Sequence, residues 1–380
     1  MAEPLKHLIG PHTARDTADA VARACETFDH AAFLGDILPV IDGLELMQRG
    51  QCIADALHRH LPADFEQTAT ILHGCLPASD RPGLSGWALL SFNQYVAAHG
   101  RGHLETALGL LKALTPHFTA EFGIRPFIAE EQDAALAMIT DWVTDPNHHV
   151  RRLASEGTRP RLPWAMRLPA LVKDPKPILP ILEALIDDPE EYVRRSVANS
   201  LNDIAKDHPD LVADFVERHT QGASKDGLWL LKHASRTLIK KGHGKALANF
   251  GFAPLTDVTA TLTLESEQID FPGELAFEIR LSNFGEETST VVVDYAIHHQ
   301  KKDGSLSPKV FKGKSLQLKP SESATIAKRH GFRPITTRVY HPGRHRLEIM
   351  VNGVVKTGVD FNLGATDTRD DEGQRASPTW

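Results

Sequence analysis

The segment at residues 148–164, HHVRRLASEGTRPRLPW, places one carboxylate among several cations and beside an aromatic ring. The carboxylate is Glu156, and Trp164 closes the segment. A carboxylate can oppose a positive charge, the face of an indole ring attracts a cation, and arginines hold anions. Side chains of these types can therefore do more than support a turn. The basic residues that we single out in the segment are Arg152, Arg159 and Arg161.

Two other segments are rich in residues of the same kinds. EFGIRPFI at 121–128 carries Glu121 and Arg125, and EYVRRSVANSLNDIAKDHP at 191–209 carries Asp203. The sequence predicts that Asp203 lies well inside a helix, where aspartate has a poor propensity and no cap to serve. Its position there favours a role other than helix formation.

Structural roles compete with functional ones for each of these residues. Glu156 could pair with Arg152 across one helical turn, a contact worth about 0.2–0.5 kcal/mol, and Asp203 could pair with Lys206. Trp164 follows a proline and could anchor a loop on the core. From the residue types alone, the two interpretations are equally open.

Helices are predicted to position these residues, because apolar residues recur at three- and four-residue spacing from about 12 to 250. DPNHHVRRLASEG at 145–157 aligns with DPEEYVRRSVANS at 188–200, and LLKHASRTL at 230–238 is a weaker third copy. Helical repeats of about 40–47 residues are typical of the HEAT class. In the two copies that begin with Asp-Pro, we expect Asp to cap the helix, Pro to occupy its first turn and the arginines to point outward.

Strands are predicted after the helices, because polar and apolar residues alternate in VTATLTLES, ELAFEIRLSN and STVVVDYAIHH. About seven antiparallel strands indicate an immunoglobulin-like β-sandwich. The predicted fold class is therefore multidomain α then β: an α-solenoid of HEAT-like repeats at 1–252, an antiparallel β-sandwich at 253–364, and a disordered tail at 365–380. KVFKGK at 309–314 is predicted as a basic loop, with the lysines of an edge strand as the alternative.

Composition narrows the function classes. No apolar run reaches the length of a membrane span and the start lacks a signal core, so we expect a cytoplasmic protein that makes no membrane contact. The three cysteines lie far apart, and no histidine spacing matches a zinc motif. We therefore predict no metal and no cofactor.

The net charge of −7 averages two different regions of the chain. Residues 1–100 contain twelve acidic and six basic residues, whereas residues 148–245 contain thirteen acidic and seventeen basic residues. Electrostatic contacts are local within a Debye length of about 10 Å, so a basic segment on an acidic protein can still bind a polyanion. The charge distribution is compatible with a nucleic-acid partner.

Three segments, VRRLASEGTRPRLPW, EYVRRSVANSLNDIAKDHP and HASRTLIKKG, resemble the signature segments of the HEAT-like alkylpurine DNA glycosylases of the AlkC/AlkD superfamily. The C-terminal β-domain points to the AlkC branch. This resemblance covers the helical part to about residue 250 and the sandwich after it. It implies a DNA-3-methyladenine glycosylase of base excision repair. Such an enzyme excises 3-methyladenine, and in this branch 3-methylcytosine, from double-stranded DNA without full base flipping and without a cofactor.

The resemblance also implies roles for individual residues. Breaking the glycosidic bond of a cationic base develops oxocarbenium character on the sugar, which carboxylates stabilise while they position a water. We expect Glu156 and Asp203 to be the principal catalytic carboxylates and Glu121 a third acid, with Trp164 stacked against the lesion nucleotide. We expect DNA phosphates to be bound by Arg152, Arg159, Arg161, Arg195, Lys206, Lys232, Arg236 and Lys240, in a protein that acts as a monomer.

A non-enzymatic HEAT-repeat scaffold is the alternative. Such solenoids bind protein or nucleic-acid partners, and the net negative charge of this chain favours a protein partner. Because the same architecture serves both classes, the fold alone does not separate an enzyme from a scaffold.

Overall fold

The structure is a computed structural model that describes residues 5–252, 255–335 and 338–366. Helices occupy the chain up to Ala248 and strands begin at Val258, which confirms the predicted fold class. The tail predicted from residue 365 lies outside the described residues from 367 onward. None of the helices in the described part of the chain combines the length and hydropathy that crossing a bilayer requires.

The first eight α-helices precede the repeat motif. They are interrupted by single turns of 3-10 helix, such as Ile41–Gly43 and Trp142–Thr144. Their bounds are α1 Pro11–Ala24, α2 His30–Ile37, α3 Leu46–His60, α4 Phe65–Gly74, α5 Leu89–His99, α6 Leu104–Leu114, α7 Arg125–Glu130 and α8 Gln132–Asp141.

The next eight α-helices include the three copies of the motif: the first ends on α9, the second lies mainly on α12, and the third spans the end of α14 and the start of α15. Their bounds are α9 His148–Gly157, α10 Pro169–Lys173, α11 Leu179–Ala184, α12 Glu191–Ile204, α13 Pro209–Thr220, α14 Lys225–Ala234, α15 Arg236–Lys240 and α16 Gly244–Ala248. α12 packs against α9 on one side and α14 on the other. The buried Val193, Val197 and Leu201 fill this packing, as expected for stacked repeats.

The aspartate of the motif does not cap the helix, which corrects the prediction. The N-cap of α9 is Asn147, whose side chain accepts from the backbone N–H of His149 at 2.8 Å. Asp145 instead accepts from the backbone N–H of Asn147 at 2.8 Å, and Asp188 accepts from that of Glu190 at 2.9 Å. The aspartate therefore forms the turn that precedes each helix.

The first arginine of the motif does not point outward, which also corrects the prediction. Arg151 donates to the backbone carbonyl of Asp145 at 2.9 Å and to both carboxylate oxygens of Asp188, in the next repeat, at 2.6 and 3.1 Å. Arg194 donates in turn to the carbonyl of Asp188 at 2.6 Å and to the carboxylate of Asp226 at 2.8 Å. We call these contacts the arginine ladder. It fixes the register of neighbouring repeats.

The strands form two sheets, a three-stranded sheet of order β1-β3-β6 and a five-stranded sheet of order β2-β8-β7-β4-β5. β2 pairs with β8 in parallel, whereas the other pairs are antiparallel. The prediction of a purely antiparallel sandwich is wrong for that pair. β2 is a four-residue strand at the edge of the larger sheet, where it runs in the same direction as its neighbour β8, the last strand. The bounds are β1 Val258–Leu264, β2 Gln268–Phe271, β3 Gly273–Asn283, β4 Ser289–Gln300, β5 Leu306–Leu318, β6 Ser323–Phe332, β7 Gly343–Val351 and β8 Val354–Thr366.

Residues 309–314 lie inside β5 and do not form the predicted loop. Among the described strands, β5 pairs with β4 alone and is therefore an edge strand. Phe311 stacks on Tyr295 with ring centroids 5.2 Å apart, so one face of the segment packs on the sheet. The lysines between these apolar residues match the alternative interpretation, an edge strand protected by charge.

Spatial proximity divides the chain into two compact units. One extends to His208 and includes residues 222–234, and the other combines residues 209–221 with those from Ser235 onward. Within the second unit, Gly242 and Gly353 lie back to back, since a Cβ on Gly242 would stand 2.5 Å from the carbonyl oxygen of Gly353. The predicted boundary at 252/253 marks the change from helices to strands.

Replacing Arg151 by Met is expected to lower the free energy of unfolding by about 3 kcal/mol, because it leaves the buried carboxylate of Asp188 without its cation. The control is Glu191→Gln, which breaks the exposed pair with Arg195 and is expected to cost at most about 0.5 kcal/mol. Urea unfolding of the two variants measures the difference. Equal losses would contradict the role of the arginine ladder.

The sandwich core contains a histidine with no hydrogen-bond partner. His299 is buried, and neither of its ring nitrogens has a partner among the described residues. The rings of Tyr340, Phe332 and His345 surround it, with centroids 5.5 to 6.0 Å away. Burial lowers the pKa of His299 to about 3. The folded state therefore holds this ring neutral.

Acid is expected to destabilise the sandwich through His299. The unfolded chain binds a proton below pH 6.5 and the folded chain does not, so stability falls with pH from 6.5 down to the folded pKa near 3. By pH 5 the loss is about 1–2 kcal/mol. His299→Phe is expected to remove this loss, measured as the difference in urea unfolding at pH 7 and pH 5. An unchanged pH dependence in the variant would contradict the prediction.

Candidate active site

The three predicted acids lie on three separate elements of the helical part. Glu121 lies in the turn before α7, Glu156 in the last turn of α9, and Asp203 in the last turn of α12. Asp203 thus stands at the end of its helix, not well inside it as predicted. Glu156 and Asp203 occupy similar places in neighbouring repeats, so stacking of the repeats brings them together.

One guanidinium joins Glu156 to Asp203. Nη1 of Arg159 donates to Glu156 Oε1 at 2.6 Å, and its Nε and Nη2 both lie 2.8 Å from Asp203 Oδ2. The two carboxylates are 6% and 2% exposed. Burial lowers the pKa of Arg159, but the charges of the two carboxylates outweigh burial and raise the pKa above its ordinary value. The charged state of Arg159 is therefore firmly held.

A second arginine joins Glu121 to Glu156. Nη1 of Arg152 donates to the carboxylate of Glu121 and, at 2.9 Å, to Thr119 Oγ1, while its Nη2 lies 3.5 Å from Glu156 Oε1. The guanidinium carbon stands 5.1 Å from the ring centre of Tyr192. Burial raises the pKa of Tyr192, so its ring is neutral when it supports this cation.

The series of ion pairs ends with Lys206, whose Nζ donates to Asp203 Oδ1 at 2.8 Å. Six side chains therefore alternate in sign, three acids with three cations, and their formal charges cancel. We call them the acid–cation chain; in order they are Glu121, Arg152, Glu156, Arg159, Asp203 and Lys206.

Serine fixes the second oxygen of Glu156. Ser196 Oγ donates to Glu156 Oε2 at 2.7 Å, and Ser155 Oγ donates to Ser196 Oγ at 2.6 Å. All three side chains are buried between α9 and α12. Ser196 is not among the residues predicted from the sequence. Its signal was its place directly after the two arginines of the motif, on the helix face that meets the preceding repeat.

Both buried acids lie at the negative ends of helices. The C-terminus of a helix carries a partial negative charge, which disfavours a carboxylate in the last turn. Glu156 and Asp203 are stable there because Arg159 and Lys206 contact them directly. Because these cations cancel the formal charges of the carboxylates, the two helix ends contribute the remaining partial negative charge at this place.

Trp164 stands apart from this chain, in the loop at 158–168 between α9 and α10. Its side chain is 95% exposed, and its backbone φ is +64°, in the left-handed region that a large side chain rarely adopts. The alternative interpretation of Trp164 as a core anchor is therefore wrong. The buried Leu162 anchors the loop instead.

The residues predicted to bind phosphate differ in how accessible they are. Arg159 is buried between two acids, and Arg161 holds Asp207 through two hydrogen bonds of 2.7 and 2.8 Å, which lower the pKa of Asp207. Arg195 is exposed and lies 6.0 Å from the ring centre of Trp229. Lys232 lies on α14, and Arg236 and Lys240 lie on α15 in the second unit; Arg152 and Lys206 belong to the acid–cation chain.

No group of three histidine, cysteine or acidic side chains that could hold a metal ion occurs in the described ranges. Cys25, Cys52 and Cys75 are free thiols, and burial raises the pKa of Cys75 to about 12. The absence of a metal and a cofactor stays a prediction.

Comparison with known proteins places both parts of the chain in families. Residues 117–238 match the DNA alkylation repair enzyme family, and residues 258–365 match the C-terminal Ig-like domain of the uncharacterised protein YhaZ. YhaZ of Bacillus subtilis is 37% identical over 321 residues, which are 84% of this chain and 88% of YhaZ.

A solved structure matches nearly the whole chain. It is the alkylpurine DNA glycosylase AlkC of Pseudomonas fluorescens bound to DNA containing an abasic site analogue. The match has a TM-score of 0.80 and 34% sequence identity, and covers 96% of this chain and 100% of AlkC. The chain belongs to the AlkC branch of the DNA alkylation repair enzymes. The segment that matches this family, 117–238, contains the whole acid–cation chain and Trp164.

Trp164→Ala is expected to change the free energy of unfolding by no more than about 0.5 kcal/mol, because the exposed ring packs against almost nothing. The control is Trp142→Ala, which removes a buried ring and is expected to cost about 3–5 kcal/mol. Thermal unfolding of both variants tests the contrast. A large loss of stability in Trp164→Ala would mean that the ring is structural.

Proposed function

We propose that this protein is a DNA-3-methyladenine glycosylase. It hydrolyses the N-glycosidic bond of cationic alkylated bases, 3-methyladenine and 3-methylcytosine, in duplex DNA, and does so without full base flipping. Membership of the DNA alkylation repair enzyme family supports the reaction class. The observation that carries the proposal is the acid–cation chain, because it brings together the carboxylates of α9, of α12 and of the turn before α7.

The reaction needs what this place supplies. An N3-alkylated base is already a cation, and breaking its bond to the sugar transfers positive charge to the deoxyribose. Glu156 and Asp203 oppose that charge, and the two helix ends on which they stand add to the negative potential. A carboxylate of the pair also orients the attacking water. Trp164, exposed on its loop, stacks against the lesion nucleotide.

DNA binding also changes the charge balance of the site. In the free protein the acid–cation chain is formally neutral, which weakens its attraction for a cationic sugar. The half-exposed Lys206 ends the chain, where a phosphate can compete with Asp203 for its ammonium. When the backbone of the damaged strand draws this cation away, three carboxylates face only Arg152 and Arg159. The site then becomes negative in the bound complex.

The first test is release of the free base from methylated duplex DNA by the purified protein in the presence of a chelator. The proposal expects 3-methyladenine to appear as free base and an abasic site to remain in the strand. Tight DNA binding with no base released would support the non-enzymatic scaffold instead.

Amide variants then test the acids. Glu156→Gln and Asp203→Asn are expected to lower the single-turnover excision rate by about 100-fold or more with DNA affinity retained. Both changes also take a carboxylate away from a guanidinium, so the control is Glu348→Gln. Glu348 is a partly buried carboxylate of the sandwich that lies 3.0 Å from Arg346 and 2.9 Å from His298, outside the acid–cation chain and the arginine ladder. A control rate as low as that of the amide variants would remove the acids from the mechanism.

A further inference from the structure

Arg125, the first residue of α7, has 0% of its surface exposed. Its guanidinium donates to three backbone carbonyls. Nη1 reaches those of Gly157 and Arg159, both at 2.8 Å, and Nε reaches that of Met166 at 2.7 Å. Two acceptors lie where α9 ends, and the third lies near the far end of the loop at 158–168. One side chain therefore ties both ends of the loop together.

The cost of this arrangement indicates a positional role. No carboxylate among the described residues pairs directly with Arg125, and its Nη2 has no hydrogen-bond partner there. Burial, followed by the charge of Arg159, lowers the pKa of Arg125 to about 10. An apolar side chain would fill the same space without burying a charge. What an apolar side chain lacks is the planar fork that reaches carbonyls at two separate points.

The tied loop carries both side chains on which the site depends. Arg159 follows α9 directly, so its guanidinium reaches the two acids only if the helix end stays in place. Trp164 holds its left-handed φ of +64° with an exposed ring, so the ring gains no packing to offset the backbone strain. The buried apolar side chains of the loop are those of Pro160, Leu162 and Leu168, and the backbone N–H of Leu168 donates to the carbonyl of Pro160 at 3.2 Å. Arg125 adds to these contacts three hydrogen bonds that fix both ends of the loop to α7.

We infer that Arg125 is a positioning residue: its buried guanidinium sets where Arg159 stands between the acids and where the loop presents Trp164. The inference rests on the proposed function for its catalytic consequence, whereas its structural part stands alone. Lysine cannot take over this role, because an ammonium is a single point that does not span the two ends of the loop.

The chain offers a matched control in Arg49. This arginine is also buried, at 4% exposure, and also donates to three backbone carbonyls, those of Leu44, Ile9 and Asp42, at 2.7 to 2.8 Å. It lies on α3, outside the acid–cation chain and its loop. Arg125→Lys and Arg49→Lys therefore remove the same type of contact, and a general loss of stability affects both variants alike.

Trypsin reports on the loop independently of catalysis, because it cleaves after Arg161 and Arg167. Under native conditions we expect cleavage at these bonds to rise about tenfold or more in Arg125→Lys and to stay unchanged in Arg49→Lys. Single-turnover excision is expected to fall about tenfold in Arg125→Lys alone, with DNA affinity retained, because Arg159 and Trp164 are displaced while the phosphate contacts remain.

Equal loop cleavage in the two variants, or loop cleavage at the wild-type rate in Arg125→Lys, would overturn the inference. Faster cleavage with no base release by the wild-type protein would support the loop role and overturn only the proposed function. If Arg125→Lys does not accumulate as folded protein, Arg125→Gln replaces it, because the amide NH2 group still donates to carbonyls but carries no charge.

Discussion

A single guanidinium between two carboxylates is the interaction on which the rest of the site depends. Glu156 and Asp203 stand at the negative ends of two helices, where neither is stable without a cation, and Arg159 contacts both. The same contact fixes the distance between neighbouring repeats at the point where their helices end. Arg159 thus serves structure and electrostatics at once, which explains why it is buried although arginine is usually exposed.

The arginine ladder makes this meeting of helix ends reproducible. Each rung joins the turn before one helix to the turn before the next, so the starts of α9 and α12 are held in register. Helices of fixed register bring their last turns together as well, and Ser196 completes the contact by binding Glu156. The first arginine of each motif therefore organises the repeats, while the second, Arg152 in the first copy, takes part in the site.

The sequence predicted the helical repeats and the strands, because these leave periodic signals, whereas the roles of Glu121, Glu156 and Asp203 follow from the family resemblance and stay predictions. It did not predict the direction of Arg151 and Arg194, since a surface arginine and a ladder arginine look alike in one sequence. The predicted position of Asp203, well inside its helix, was wrong, because the end of a helix leaves only a weak signal in the sequence when no glycine or proline follows at once. The only local signal of Arg125 in the sequence was its position before a proline. Its carbonyl partners lie about 30 to 40 residues away along the chain. Contacts between residues that are far apart in the chain leave no signal in the local sequence pattern.

Gly242 and Gly353 have no side chains, and this lets the end of α15 touch the turn between β7 and β8. If recombination replaced the strands at the helix-to-strand junction, the new domain would also need a glycine in the turn that faces Gly242. A residue with a Cβ in that turn would clash with the backbone of Gly242. The last helices and the sandwich are therefore expected to be inherited as one block.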